Sequence, residues 1–293
     1  MFIIGESLNV ISTKIGRAFK ERNPVPIQEE AKKQKELGAD FIDINLGPAR
    51  KGGPELMEWV VKTVQEVVDD IPLALDTSNI EAIEAGLAVC KGRPLINSIM
   101  CRKERYEKML PLVTKYNARM IALLWGPQGM PRDENERAEL TVELTYAANE
   151  AGIANEDIFV DGIATPVNVQ QDQVYSLLQF MPMVQDLGEG LKSTCGLSNV
   201  SNGSPDHLRP ILNRTYMVML EKCGMYSAIA DVYDRDLVDI AKGKRSDIVE
   251  IIGKVMDEEA IDMSSLSKEL QDYVKTTRIL LKKALYSDSW LEL

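Results

Sequence analysis

Histidine is nearly absent from this sequence: His207 is the only one. A histidine-rich metal cluster is therefore excluded. The four cysteines, Cys90, Cys101, Cys195 and Cys223, form no C-x-x-C pair and no dense framework. Reduced thiols follow, with no zinc-thiolate ligand set and no disulfide scaffold. Basic residues are outnumbered, 34 Lys and Arg against 45 Asp and Glu, for a formal charge of −11. A nucleic-acid surface is normally basic, so nucleic acid is not an expected partner. No uncharged apolar segment reaches membrane-spanning length, so no membrane partner is expected either. Met1–Glu6 carries neither a basic leader nor an apolar run of the secretory type, and a cytoplasmic location is the expectation.

What is present is enough apolar material, 45% of 293 residues, to bury a large core. No break in composition divides it, so a single domain over 1–293 is expected. Short apolar runs start near residues 2, 41, 73, 94, 119, 158, 192 and 226, and helical stretches lie between them. The strands read as Phe2–Ile4, Phe41–Asn45, Leu73–Asp76, Leu95–Asn97, Met120–Leu124, Ile158–Asp161, Lys192–Leu197 and Tyr226–Ala230. Buried parallel strands show apolar runs of this kind, alternating with helices. Eight such units in this length fit an α/β (β/α)8 TIM barrel. A doubly wound open sheet is the rival, because periodicity does not decide closure.

Helices are expected over 27–37, around Leu56, Val60, Val64 and Val67, from Asn79 on, over 138–150, over 170–181, and along Tyr216, Met219, Leu220 and Cys223. Ser78 and Glu81 have capping-box spacing for the third of these. Near the end, helical pieces are expected at 248–256, 266–273 and 276–286. The region 243–275 reads as an elaborated final crossover on the barrel exterior, with partner docking as the alternative.

The strand endings carry the chemistry. Leu73-Ala74-Leu75-Asp76, Leu95-Ile96-Asn97 and Ile158-Phe159-Val160-Asp161 each stop on an acid or amide where a βα loop begins. A barrel makes such residues converge on one site. The full ring is Glu6, Asn9, Asp43, Asn45, Asp76, Asn97, Asp161, Asn199 and Asp231. This ring is too acidic for a simple phosphate pocket. It suits a ligand rich in N–H donors or a metal; Glu6, Asn45 and Asp231 read equally well as caps or loop braces, and Asp76, Asn97 and Asp161 together less so. A pterin has the matching edge: its amino group and ring N–H are paired donors that a carboxylate accepts. The acids lie on separated strands without a local ligand motif, which argues against a tightly bound metal.

Six stretches, in order, resemble the methyltetrahydrofolate:corrinoid protein methyltransferases of the pterin-binding barrel family. They are Ile4-Gly5-Glu6-Ser7-Leu8-Asn9, Gly38 to Pro48, Leu75-Asp76-Thr77-Ser78-Asn79, Ile96-Asn97-Ser98 with Asp161, Gly196 to Ser201, and Asn213-Arg214-Thr215. Dihydropteroate synthases and the folate domain of cobalamin-dependent methionine synthase are more distant relatives. The likeness spans nearly the whole chain and fades over about 243–275. It implies pterin recognition by Asp76, Asn97 and Asp161, and it puts Asn199 beside N5 of the folate. Asp43, Asn45 and Asn9 match residues close to the pocket. A homodimer is also implied.

The implied reaction moves a methyl group between N5 of tetrahydrofolate and the cobalt of a corrinoid. Methyltetrahydrofolate or tetrahydrofolate is then a substrate. The chain has no D-x-H-x-x-G module, so the corrinoid must come on a partner protein that docks over the open mouth. From folate to cobalt, Co(I) is the nucleophile and N5 leaves poorly unless its developing basicity is met. An asparagine amide donates a hydrogen bond but is no practical acid, so Asn199 is assigned electrostatic support of transfer. Water or a hydrogen-bond chain then carries the proton. Arg17, Arg50, Lys51, Arg102 and Arg209 are candidates for the folate glutamate tail, Arg214 for bracing the last loops, His207 for a surface role and Cys195 for packing. Three alternatives stand beside this one: a dihydropteroate synthase-like transferase, a non-catalytic folate-binding subunit, and a metal-dependent lyase.

Overall fold

A computed structural model describes residues 1–292. Its strands are β1 Phe2–Asn9, β2 Phe41–Asn45, β3 Leu73–Asp76, β4 Leu95–Met100, β5 Arg119–Leu123, β6 Ile158–Asp161, β7 Lys192–Thr194 and β8 Ser227–Ala230. All are parallel, in the order β7-β6-β5-β4-β3-β2-β1-β8. A parallel bridge between Gly196 and Ile229, with Ile229 N–H donating to Cys195 O at 2.9 Å, joins the two ends. The sheet is thus a nearly closed (β/α)8 barrel, which removes the open-sheet rival.

The helices are α1 Thr13–Glu21, α2 Pro24–Leu37, α3 Gly53–Gln65, α4 Ile80–Val89, α5 Lys103–Lys115, α6 Glu134–Glu150, α7 Val167–Phe180, α8 Val184–Leu187, α9 Arg209–Lys222, α10 Arg235–Ala241, α11 Ser246–Met256 and α12 Lys268–Leu280. Helices α1, α5, α8 and α10 go beyond those expected. Pro111 lies inside α5, where proline argues against a helix, yet Met109, Leu110, Leu112 and Val113 bury and hold it. Several boundaries also move. Helix α4 is capped by Asn79, whose Oδ1 accepts from Ala82 N–H at 3.1 Å, so the Ser78/Glu81 capping box does not form. The pieces expected at 266–273 and 276–286 are one helix, α12, that ends at Leu280. Strand β1 runs on to Asn9, with a register irregularity between Gly5 and Leu8.

Period-two alternation builds the site. Outward-facing Ile42, Ile44 and Leu75 join the large core under the helices. Inward-facing Ile4, Phe41, Ala74, Leu95, Ile121 and Phe159 form a separate apolar plug in the barrel floor. Two residues further along the same inward rows come Glu6, Asp43, Asp76, Asn97 and Asp161. These five rows, on β1, β2, β3, β4 and β6, therefore run from apolar to polar, and the polar positions share the carboxyl-end mouth. Asn9, Asn45, Asp76 and Asn97 are register neighbours in one rung across β1 to β4. Beyond β8, α11 and α12 pack outside α9. That covering position agrees with the elaborated-crossover expectation for 243–275.

Candidate active site

A cavity of about 300 Å³ opens at the mouth, lined by Glu6, Asn9, Asp43, Asn45, Asp76, Asn97, Asp161 and Asn199, with Ser98, Ile163 and Gly196 among the rest. All seven residues named as site candidates therefore reach one space. Asp231, from the wider ring, lines a neighbouring cavity instead.

Their hydrogen bonds divide the labour. Asn97 Nδ2 donates to Asp43 Oδ1 at 3.0 Å in a buried contact, which leaves the Asn97 oxygen for a ligand donor. Asn45 Nδ2 donates to Asp76 Oδ2, while Asn45 Oδ1 accepts from Gly47 N–H at 2.9 Å. Both ends of Asn45 are used, so it holds Asp76 in place. The β3 exit is pinned to the β2 loop: Thr77 Oγ1 donates to Gly47 O at 2.6 Å, and Asn79 Nδ2 to Ala49 O at 2.9 Å. Asn9 Oδ1 accepts from Ile11 N–H at 2.9 Å, and Asn199 Oδ1 from Asn202 Nδ2 at 3.2 Å. Each keeps its NH2 as a donor. Asn199 is exposed at the rim. Gly196 is its seat: a Cβ there would stand 3.0 Å from Asn199 Nδ2.

Asp161 Oδ1 accepts from Ile163 N–H at 2.8 Å, so its second oxygen is left for a ligand. The turn that aims this N–H is strained. Ile163 has φ +67°, a left-handed conformation that a β-branched residue rarely adopts. Arg137, fully buried in the first turn of α6, holds the strained turn from behind. Its Nε donates to Gly162 O at 2.7 Å, and its other nitrogens to Ser176 Oγ at 2.9 Å and Gln173 Oε1 at 2.8 Å. Arg137 and Ile163 were not among the expected site residues. A signal for Arg137 existed: it sits on the stripe Arg137, Thr141, Leu144, Ala148, the buried face of α6. The conformation of Ile163 had no signal.

Burial raises the acids. It pushes Asp76 up to about 7. It pushes Asp161 up to about 6, against the pull of the Ile163 N–H and Arg137. Asp43 is raised well above its usual range by burial and then by the nearby Asp76 charge, with Asn97 opposing. Glu6 is raised by burial, against a hydrogen bond from Ser198. Burial thus favours the protonated forms of these acids to higher pH than in an exposed carboxyl.

The other candidates lie outside the cavity lining. Cys195 is wholly buried against Met225, its thiol pushed up by burial. His207 is exposed on a short turn outside the cavity lining. Arg17 pairs with Glu21 on α1, and Arg102 Nε donates to Gly126 O. Arg50 and Lys51 are exposed in the β2–α3 loop. Arg209 lines the neighbouring cavity. Arg214 braces the last loops through Asp234 and Asp236. No group of three or more His, Cys, Asp or Glu is placed to hold a metal among the described residues. No helix among them is long and apolar enough to cross a membrane.

Residues 5–229 match the family described as pterin binding enzyme. The chain belongs to that family. Among its relatives, the methylcorrinoid:tetrahydrofolate methyltransferase of Eubacterium limosum is 28% identical over 81% of this chain and 88% of that protein. The methionine synthase of Mycobacterium leprae is 25% identical over 78% of this chain, but the match spans only 20% of that longer protein. The barrel also superposes on dihydropteroate synthases. The Xanthomonas albilineans structure with 4-aminobenzoic acid has a TM-score of 0.64 at 19% identity, covering 84% of this chain and 93% of that one. The Thermus thermophilus structure with 6HMPPP has a TM-score of 0.61 at 19% identity, covering 82% and 93%. At that identity the likeness speaks for the pterin-binding barrel fold alone.

Proposed function

We propose that this pterin-binding barrel transfers a methyl group between N5 of tetrahydrofolate and the cobalt of a corrinoid on a partner protein. One observation carries the reading. A single cavity has acceptors on one side, from Asp76, Asn97 and Asp161, and the donor amide of Asn199 on its open rim. The acceptors suit the amino and N3–H edge of a pterin. A carboxylate with one oxygen held by Ile163 keeps its geometry as the ligand arrives. Asn199 is then the catalytic residue: its NH2 supports N5 as the C–N bond breaks, a contact that strengthens in the transition state. Asp43, Asn45 and Asn9 bind or orient around it. Methyltetrahydrofolate and the partner-borne corrinoid are the substrates, and the exposed rim is where the partner docks. The same site serves both directions of transfer. A homodimer belongs to the same reading.

The relative from Eubacterium limosum supports methyl transfer over dihydropteroate synthesis. The test is incubation with methyltetrahydrofolate and free cob(I)alamin, followed by the visible spectrum. Methyl-cobalt should form, and exhaustive chelation should leave the rate unchanged. Asn199→Ala should slow transfer by about 10²-fold with folate affinity nearly kept. Asp76→Ala should weaken folate binding roughly 10- to 100-fold. Pteroate formed from a pterin diphosphate and p-aminobenzoate, with no methyl-cobalt, would show the synthase reaction instead. Tight folate binding with neither product would leave a binding subunit.

A further inference from the structure

Loss of a methyl group from N5 requires a proton at that nitrogen, and the barrel order indicates where it comes from. Strands β7, β8 and β1 stand side by side. Asn199 follows β7, and Glu6 lies in the irregular middle of β1. Asp76, Asn97 and Asp161 come from β3, β4 and β6. A pterin gripped at its amino edge by those three presents its far side to the sector of Asn199 and Glu6.

Glu6 has a second property. It lines both the 300 Å³ cavity and an outer cavity of about 580 Å³, and it is the one residue common to the two linings. Ser198, the residue before Asn199, donates its hydroxyl to Glu6 Oε1 at 2.6 Å. Oε2 is left to carry a proton. The irregularity of β1 fixes this placement: Gln34 Oε1 accepts from Ser7 N–H at 3.3 Å, and a Cβ on Gly5 would stand 2.3 Å from that oxygen.

We propose that Glu6 is the proton relay between the outer cavity and N5. This rests on the methyl-transfer reading above. As Co(I) attacks, its electron pair forms the Co–C bond and the N5–C pair stays on nitrogen. The Glu6 carboxyl gives its proton to N5, directly or across one water, and becomes a carboxylate. Water in the outer cavity restores it. In reverse, N5 attacks methyl-cobalt and the Glu6 carboxylate takes the N5 proton. Burial keeps the Glu6 carboxyl protonated to higher pH than an exposed glutamate, with Asp231 adding to this and Ser198 and Arg209 opposing it. Asp43 also faces Glu6. Asn199 cannot act as an acid, and His207 is exposed outside the cavity lining.

The test is single-turnover transfer from methyltetrahydrofolate to free cob(I)alamin, from about pH 5.5 to about pH 8.5, with tetrahydrofolate affinity measured in parallel. The wild-type rate should fall as pH rises through the Glu6 ionisation, with a solvent deuterium isotope effect. Glu6→Gln should lose about 10²-fold at the low-pH plateau, flatten the profile and lose the isotope effect, while affinity stays within about two-fold. Glu6→Asp should recover part of the rate and the pH dependence. A Glu6→Gln protein with the wild-type rate and profile overturns the relay. So does a rate loss matched by lost affinity with the profile intact. Absence of methyl-cobalt with the wild type would instead remove the methyl-transfer reading, and the relay with it.

Discussion

In the proposed transfer Asn199 acts through the direction of one amide, and Gly196 borders that amide. A methyl group at 196 would meet Asn199 Nδ2 at 3.0 Å, closer than most real contacts, so the amide must move. The backbone of Gly196 has an ordinary negative φ, so the substitution adds no backbone strain. Gly196→Ala should therefore lower the methyl-transfer rate about ten-fold while shifting Tm by no more than about 2 °C. Stopped-flow transfer beside a thermal melt checks this. A rate loss that merely follows a fall in Tm would remove the positioning role of Gly196. Asp76, Asn97 and Asp161 were legible at this scale because each follows an apolar run. The division between Asn45, saturated by Gly47 and Asp76, and Asn97, with its oxygen left over, was not legible. Both are amides after apolar residues of a strand, and only the partner atoms separate them.

Helix α6 and the loop after β6 act as one unit. Asp161 is aimed by the Ile163 N–H, the turn is strained at Ile163, and Arg137 holds the Gly162 carbonyl. A buried arginine is costly unless its donors are met, and here a carbonyl, a serine and a glutamine meet them. Arg137→Met should lower stability by roughly 3 kcal/mol, because Gly162 O and Ser176 lose their donor. It should also remove the positive charge that opposes the rise at Asp161, so Asp161 should titrate above about 6. Folate affinity, where it depends on ionised Asp161, should then have its pH midpoint moved upward. Calorimetric binding across pH checks this, and an unmoved midpoint would make Arg137 a purely structural brace. Helices α1 and α5 show the same limit of local pattern. Pro111 hides α5, and tertiary burial overrides it.

The whole molecule carries a pH signature opposite to that of its surface. Asp76 rises from an ordinary 3.8 to about 7, Asp161 to about 6, and Asp43 also rises. The folded state then binds more protons than the unfolded chain between those limits. Stability from these groups is full below about pH 4 and is lost as pH rises to about 7. Exposed paired acids such as Asp70 and Glu136 are lowered and act the other way, but their effect is complete by about pH 5. The free protein should thus be most stable near pH 5, and Tm should fall on the order of 5 °C by pH 8. Asp76→Asn should flatten that fall. Melts across pH test it, and a Tm rising steadily to pH 8 would contradict the buried acids.

Alone, the sequence determined eight alternating strand and helix units and the acids and amides near their carboxyl ends, because apolar runs, helix periodicity and polar residues after them are local patterns. Only the tertiary structure decided that the sheet closes through Gly196 and Ile229, and that Arg137 stands behind Asp161. It also decided which acids keep protons near neutrality. Closure, long-range hydrogen bonds and desolvation depend on groups far apart along the chain, and no local run of residues encodes their distances.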